Sequence, residues 1–286
     1  MSRIDNLKIS IVTPVYNGET VIKDLLNSVI DQKYSNWEMI VQDGQSSDDT
    51  VKIVDAFDDK RIKIYSERDN GMYDALNKAI ERASGDYIIH LNSDEQLMGG
   101  ALSDIVAQIN EKPKFDAYCF GVIIIDKKRN PKVFRAAYPQ KSLFIKLFNL
   151  DILTAGIVYK EDIFDKIKFN TKQKAVSDAL LFLDLVKKFS VYYSNMYTSF
   201  FLIEGKNLSL EKVAIRERED IKSSVLFDNL SYYLFYLPRK LYKLYFNCIK
   251  YKGPNGSVRI FFNGKKVERS TSNISYKLVW KDLIES

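Results

Sequence analysis

Ile9 to Val12 is a short β-branched run broken by Thr13-Pro14-Val15-Tyr16-Asn17-Gly18, after which Val21, Leu25, Leu26, Val29 and Ile30 recur at helical spacing. Trp37 to Gln42 predicts a second strand, ending in the polar cluster Asp43-Gly44-Gln45-Ser46-Ser47-Asp48-Asp49-Thr50. A helix from Val51 to about Phe57 and a strand from Ile62 to Tyr65 follow. Met72, Ala75, Leu76, Ala79 and Ile80 predict an amphipathic helix within Gly71 to Ala83, and Tyr87 to Leu91 a strand that stops at Asn92-Ser93-Asp94-Glu95. This alternation predicts an α/β fold, a Rossmann-like, mostly parallel central sheet flanked by helices. Its polar loops gather at the carboxyl ends of the strands, the usual ligand crevice.

A helix is expected at roughly Gly100 to Asn110, then a hairpin of Tyr118 to Ile125 and Lys132 to Phe134 joined through Asp126 to Asn130. Between Lys174 and Lys188, Ala179, Leu180, Phe182, Leu183 and Val186 mark a further helix. A break near Gly205 to Leu210 divides the chain into a domain over 1–210 and an extension over 211–286. In that extension Leu230, Leu234, Leu237, Leu241, Leu244 and Cys248 step by three or four, interleaved with tyrosines and with Arg239, Lys240 and Lys243. The pattern predicts a helical C-terminal extension, with Pro238 kinking it or starting a second helix. Its wide apolar coverage suits an anionic membrane surface, and equally a helix packed on the domain or in a homo-oligomer interface.

With 286 residues, 46% of them hydrophobic, the chain can bury a sizeable core and needs no disulfide framework. Two cysteines and one histidine leave no zinc cluster, so both cysteines read as ordinary thiols and any metal must be held by carboxylates. The net charge of +6 belongs to the tail: residues 206–286 carry 16 basic and 8 acidic side chains, residues 1–205 carry 27 and 29. Nucleic acid is therefore not expected as a partner. The polar Met1 to Lys8 segment and the lack of any long uncharged apolar run predict a cytoplasmic protein, with membrane contact limited to the inner face of the plasma membrane.

Neither a GxxxxGK[ST] nor a GxGxxG loop is present, which argues against P-loop hydrolysis and dinucleotide redox chemistry. The loop after the first strand offers Pro14, Tyr16 and Asn17, and the loop after the second offers Asp43 and Ser46. Side by side, they supply a ring to stack on a base and a carboxylate to accept its N–H. Asp94, at the end of an apolar strand, suits a hard divalent cation whose shell a ligand's phosphates complete, or equally an ordinary acidic turn. Asp178 opens a helical run, either as a general base for a hydroxyl or as a first-turn acid. His90 reads as a strand residue with a satisfied hydrogen bond, not a catalytic one.

These residues carry a family resemblance. Ile11 to Gly18 resembles the opening nucleotide-binding motif of the family 2 glycosyltransferases of the GT-A fold, and Asp43 to Thr50 resembles their D-G-x-S-x-D-x-T loop. Ser66-Glu67-Arg68-Asp69-Asn70-Gly71-Met72-Tyr73-Asp74-Ala75-Leu76-Asn77-Lys78 is similar to the S-E-x-D-x-G-x-Y-D-A-x-N-K signature of bacterial members that build surface polysaccharides. Gly85-Asp86-Tyr87 with Leu91-Asn92-Ser93-Asp94-Glu95 resembles their G-D-Y…L-N-S-D-D pattern, whose D-x-D-like triplet here begins with Asn92. Ser177 to Phe182 resembles the A-D-Y-x-L-x-L segment with Ala179 in place of the aromatic. Leu153 to Gly156 stands where the family often has C-H-Q, and Glu204 to Ser209 loosely resembles its G-G-x-S loop.

The resemblance covers about residues 8–210 and implies an inverting glycosyltransferase. It implies a nucleotide-sugar donor, frequently a UDP-sugar, lying across Thr13, Pro14, Tyr16, Asn17 and Asp43. Asp69, Gly71, Asp74 and Ser93 complete the donor side, Asp94 binds Mn2+ or Mg2+ with the diphosphate, and Asp178 is the catalytic base toward a glycan or lipid-linked glycan acceptor. Two other classes remain open on the residues: a nucleotidyltransferase, and a non-catalytic nucleotide-sugar-binding scaffold at a membrane.

Overall fold

The computed structural model describes residues 6–137, 139, 153–203, 213–217 and 256–271. The chain runs β1 (Ile9–Val15), α1 (Ile22–Ile30), β2 (Trp37–Asp43), α2 (Thr50–Asp55), β3 (Ile62–Ser66), α3 (Met72–Arg82) and β4 (Tyr87–His90). It continues with β5 (Gln96–Leu97), α4 (Ala101–Glu111), β6 (Ala117–Ile125), β7 (Pro131–Arg135), β8 (Ile157–Lys160), α5 (Ser177–Lys188) and β9 (Val191–Leu202). The last described elements are β10 (Ser257–Phe262) and β11 (Lys265–Ser270).

The large sheet has the order β3-β2-β1-β4-β8-β6-β9-β5, with β7 paired to β6. Its first four strands are the expected parallel core, β1 lying between β2 and β4. Beyond β4 the direction mixes: β8 is antiparallel to both β4 and β6, whereas β9 runs parallel to β6. Period-two alternation splits each core strand between two faces. Ile9, Ile11, Trp37, Met39, Val41 and Ile89 pack with α1 and α4 on one side, and Val12, Ile40 and Ile88 with α3 and α5 on the other. The result is three layers, helices on both faces of the sheet.

β1 continues three residues past the expected end at Val12, through Pro14, which sits in register with Gln42. A proline is tolerated because β4 has already left: the β1–β4 ladder ends at Val12 and His90, so no partner asks for the missing N–H.

The amino half of the sheet is pinned by Glu38, a buried acid whose Oε1 accepts from Ser10 Oγ at 2.8 Å and Ser84 N at 2.7 Å, while Lys8 Nζ lies 3.0 Å from Oε2. Burial alone pushes this carboxyl up, but the Ser84, Ser10 and Lys8 donors outweigh it and bring it down to about 2. A depressed carboxyl stabilises the fold above its unfolded value and loses that contribution as pH falls toward 2. The shift corresponds to about 3 kcal/mol. Glu38→Gln should lower the unfolding free energy by about 2–3 kcal/mol at pH 7. Chemical denaturation should show the gap to wild type narrowing below about pH 4.5 and closing only as pH falls through about 2.

The extension departs from expectation where it is described. Residues 256–271 form a β-hairpin rather than a helix, turning at Asn263 and Gly264, both with positive φ, as a two-residue turn requires. Val258 and Ile260 pack on Ile123, Ile125, Phe134 and Phe200, so the hairpin shares a hydrophobic cluster with the large sheet. Asp24 of α1 holds its tip, accepting from Gly264 N at 2.7 Å and Asn263 N at 3.2 Å, and pairs at 3.1 Å with buried Arg129. Residues 213–217 form a helical turn. The helix expected over 229–250, Cys248 and the loop Glu204 to Ser209 lie outside the described residues. Cys119 is a buried free thiol, as expected, pushed up by burial.

Candidate active site

Four loops leave the carboxyl ends of β1, β2, β3 and β4 and are stitched together by short polar contacts. Asn17, with a positive φ of 50° that asparagine tolerates, joins the first two: its N–H donates to Ser46 Oγ at 2.7 Å and its Oδ1 accepts from Ser47 N at 2.9 Å. Gly18 N donates to Thr50 Oγ1 at 2.8 Å. A side chain at Gly18 would collide with Val15 and meet Ser93 Oγ at 3.6 Å, so the first loop touches the fourth. At Gly44 a Cβ would stand 2.6 Å from Asp69 Oδ2 and 3.5 Å from the Tyr16 ring. Glycine lets the third loop close over the second there.

The resulting corner presents Tyr16, 66% exposed, beside the half-buried carboxylate of Asp69, whose Oδ1 accepts from Gly71 N at 2.8 Å. A large exposed ring held beside a carboxylate can stack a planar base and receive its N–H. Asp43, expected to face the ligand, is instead fully buried and accepts from Ser46 N at 3.0 Å, from Ser46 Oγ, and from Ser66 Oγ at 2.6 Å. It holds the corner together from beneath. Thr13 is also fully buried, its Oγ1 without a hydrogen-bond partner among the described residues. Asp74 accepts from Asn70 N at 3.0 Å and lies 3.6 Å from Lys78 Nζ, so it shapes the turn carrying Asp69 and Gly71.

The loop after β4 organises three carboxylates. Glu95 is buried and turned inward, accepting from Asn92 N at 2.8 Å and Asn92 Nδ2 at 3.2 Å. Asn92 Oδ1 lies 3.1 Å from His90 Nε2. His90 is therefore a bonded strand residue, as expected, held down to about 4 by burial and so neutral. Burial raises the Glu95 carboxyl strongly, and the negative charges of Asp94 and Asp178 raise it further. Asp94 and Asp178 thus share one electrostatic environment although 84 residues separate them. That proximity had no signature in the spacing.

Glu95 is bonded inward to Asn92, and Asp94 is the half-buried carboxylate of the same loop. No group of three or more His, Cys, Asp or Glu able to hold a metal occurs among the described residues. A single half-buried carboxylate fits a hard ion such as Mn2+ or Mg2+, which takes one protein oxygen and completes its shell with phosphates and water, and does not fit a closed structural site.

Asp178 opens α5 from the opposite side. Its Oδ1 accepts from Tyr73 Oη at 3.1 Å and from Ala179 N at 2.8 Å. Its half-buried carboxylate is a first-turn acid of α5, one of the two readings the sequence leaves open. Tyr73, Ser66 and Glu95 were not singled out from the sequence. The contact of Tyr73 with Asp178 spans 105 residues.

Comparison with known proteins gives the family and the fold. The model of the family described as glycosyl transferase family 2 matches residues 10–184. The chain is 28% identical over 214 residues to a GalNAc(5)-diNAcBac-PP-undecaprenol beta-1,3-glucosyltransferase of Campylobacter jejuni, covering 71% of this chain and 67% of that one. It is 32% identical over 186 residues to the UDP-Glc:alpha-D-GlcNAc-diphosphoundecaprenol beta-1,3-glucosyltransferase WfgD of Escherichia coli, covering 64% and 72%. Among solved structures, S. aureus TarS 1-349 in complex with UDP-GlcNAc superposes with a TM-score of 0.57 at 20% identity, over 77% of this chain and 71% of that one.

Proposed function

The chain belongs to the glycosyl transferase family 2, and from that premise we propose that it moves a sugar, with inversion, from a UDP-sugar to a hydroxyl of a lipid-diphosphate-linked glycan in surface polysaccharide synthesis. Two observations support this reading: Tyr16 and Asp69 meet at Gly44 in an exposed corner, and Asp94 and Asp178, from distant parts of the chain, both act on buried Glu95. The two relatives, glucosyltransferases acting on undecaprenol-diphosphate glycans by name, support the lipid-linked acceptor, and WfgD, named for UDP-Glc, supports the UDP-sugar.

In this mechanism the uracil stacks on Tyr16 with its N–H toward Asp69, and the loop pinned by Asn17, Ser46 and Ser93 orients the diphosphate. Asp178 accepts the acceptor's hydroxyl proton as that oxygen bonds to the anomeric carbon. The bond from that carbon to the diphosphate oxygen breaks, and UDP leaves with the electron pair. A divalent ion held by Asp94 would supply stabilisation of the negative charge on the leaving diphosphate. The reaction belongs at the cytoplasmic face of a membrane because such an acceptor is anchored there. No described helix is long and apolar enough to cross a bilayer. The net positive charge of residues 206–286 suits an anionic surface.

Incubating the protein with UDP-sugars and a polyprenyl-diphosphate glycan should release one UDP per glycolipid formed. Incorporation of nucleotide into product would instead indicate nucleotidyl transfer, and UDP binding without turnover a scaffold. Stacking on Tyr16 is worth about 1–3 kcal/mol. In calorimetric titrations UDP should bind more tightly than GDP or dTDP, and Tyr16→Ala should weaken UDP roughly 10- to 100-fold.

A further inference from the structure

The segment Ser66 to Lys78 serves two sides of the crevice. Its first half forms the Asp69 corner. Its second half opens α3, on which Tyr73 and Asn77 stand one turn apart and so share a face, packed against Phe169. Tyr73 is buried, its ring stacked on Phe169 with centroids 5.6 Å apart and planes 15° from parallel. Asn77 clamps the backbone of the same residue with two bonds, Nδ2 to Phe169 O at 2.9 Å and Phe169 N to Oδ1 at 3.1 Å. The next residue, Asn170, donates its N–H to Ser177 Oγ at 2.6 Å. Ser177 immediately precedes Asp178, so α3 holds both ends of the loop that delivers α5.

We propose that Tyr73, backed by Asn77, is a positioning residue that orients the Asp178 carboxylate toward the acceptor hydroxyl, an inference that rests on the base assignment made above. Packing against Phe169 would be served as well by phenylalanine, and a buried hydroxyl costs about 1–3 kcal/mol unless it is bonded. The Tyr73 hydroxyl donates to Asp178 Oδ1, and its oxygen also faces the backbone N–H groups of Ser177 and Asp178. Because Ala179 N donates to the same oxygen, two donors from different directions fix the carboxylate's rotation, and with it the direction of Oδ2. Burial, reinforced by the charge of Asp178, raises the Tyr73 phenol. The phenol is a standing donor and takes no part in proton transfer.

A double-mutant cycle tests this. Tyr73→Phe should lower kcat about 10- to 100-fold with donor KM and UDP affinity unchanged, as expected when a reacting group loses its alignment. In an Asp178→Asn background the same substitution should cost nothing further, because the carboxylate it orients is gone. Tyr73→Phe at full rate, or an equal loss in both backgrounds, would overturn the positioning role while leaving Asp178 as the base. Asp178→Asn at the wild-type rate would remove the base assignment, and the positioning role with it. Thermal melting separates a folding defect: a merely structural tyrosine would lower Tm without distinguishing the two backgrounds.

Discussion

Asp178→Asn should reduce transfer roughly a thousandfold, about 4 kcal/mol of barrier, while UDP binds as tightly as to wild type. The asparagine keeps the size of the side chain and an oxygen able to accept from Tyr73 Oη and Ala179 N, so the local structure is preserved. What it loses is the capacity to take a proton. A sugar hydroxyl attacking carbon must shed its proton as the new bond forms, and a positioned carboxylate supplies about 10²- to 10⁴-fold of rate by accepting it. The proposed donor contacts lie on other loops, at Tyr16, Gly44 and Asp69. Calorimetric UDP affinity and steady-state kcat, measured on the same preparation, separate the two effects. Loss of UDP binding in step with loss of turnover would mean that Asp178 belongs to the donor side, and unchanged turnover would remove it as the base.

The amino half of the fold is legible because its signals are local. β1, β2 and β4 are β-branched apolar runs ending in polar loops, and α3 carries an apolar stripe at helical period. β9 escapes that reading because it carries Ser194, Thr198 and Ser199, all buried, so hydropathy along it looks broken although both faces are covered. The hairpin after residue 256 does have a signal, Val258 and Ile260 inward with Asn263-Gly264 at the turn, but the charges and aromatics of 229–250 dominate the composition around it.

For the site, the sequence points to Asp94 and Tyr16 through loops at strand ends and to Asp178 through the start of a helical run, with the family motifs. The contacts of Asp43 and Asp74 are not legible there. A carboxylate at a strand end looks solvent-facing in a sequence, and only the fold reveals that Ser46 and Ser66 occupy Asp43 and that Asn70 and Lys78 surround Asp74. The Tyr73–Asp178 contact joins segments 105 residues apart, beyond any periodicity.

The loop after β4 leads to the second large effect. Asp94→Ala should abolish the dependence of UDP affinity on Mn2+ and reduce transfer by about three orders of magnitude, since charge on a leaving diphosphate is among the terms an active site stabilises most. The neighbouring acids offer no replacement. Glu95 is buried against Asn92 N and Nδ2, and its charged form is disfavoured by burial and by Asp94 itself. Removing Asp94 relieves part of that repulsion but leaves Glu95 bonded inward, away from the crevice. The comparison with Glu95→Gln is therefore informative. That substitution retains the size of the side chain and an oxygen for Asn92, so UDP titrated with and without Mn2+ should still show a metal-dependent gain, whereas for Asp94→Ala the two titrations should coincide. A metal-dependent gain that survives in Asp94→Ala and disappears in Glu95→Gln would transfer the cation to Glu95. Equal affinities with and without Mn2+ in wild type would make the transfer metal-independent and leave the leaving group to be stabilised by the loop amides and hydroxyls around Asn17, Ser46 and Ser93.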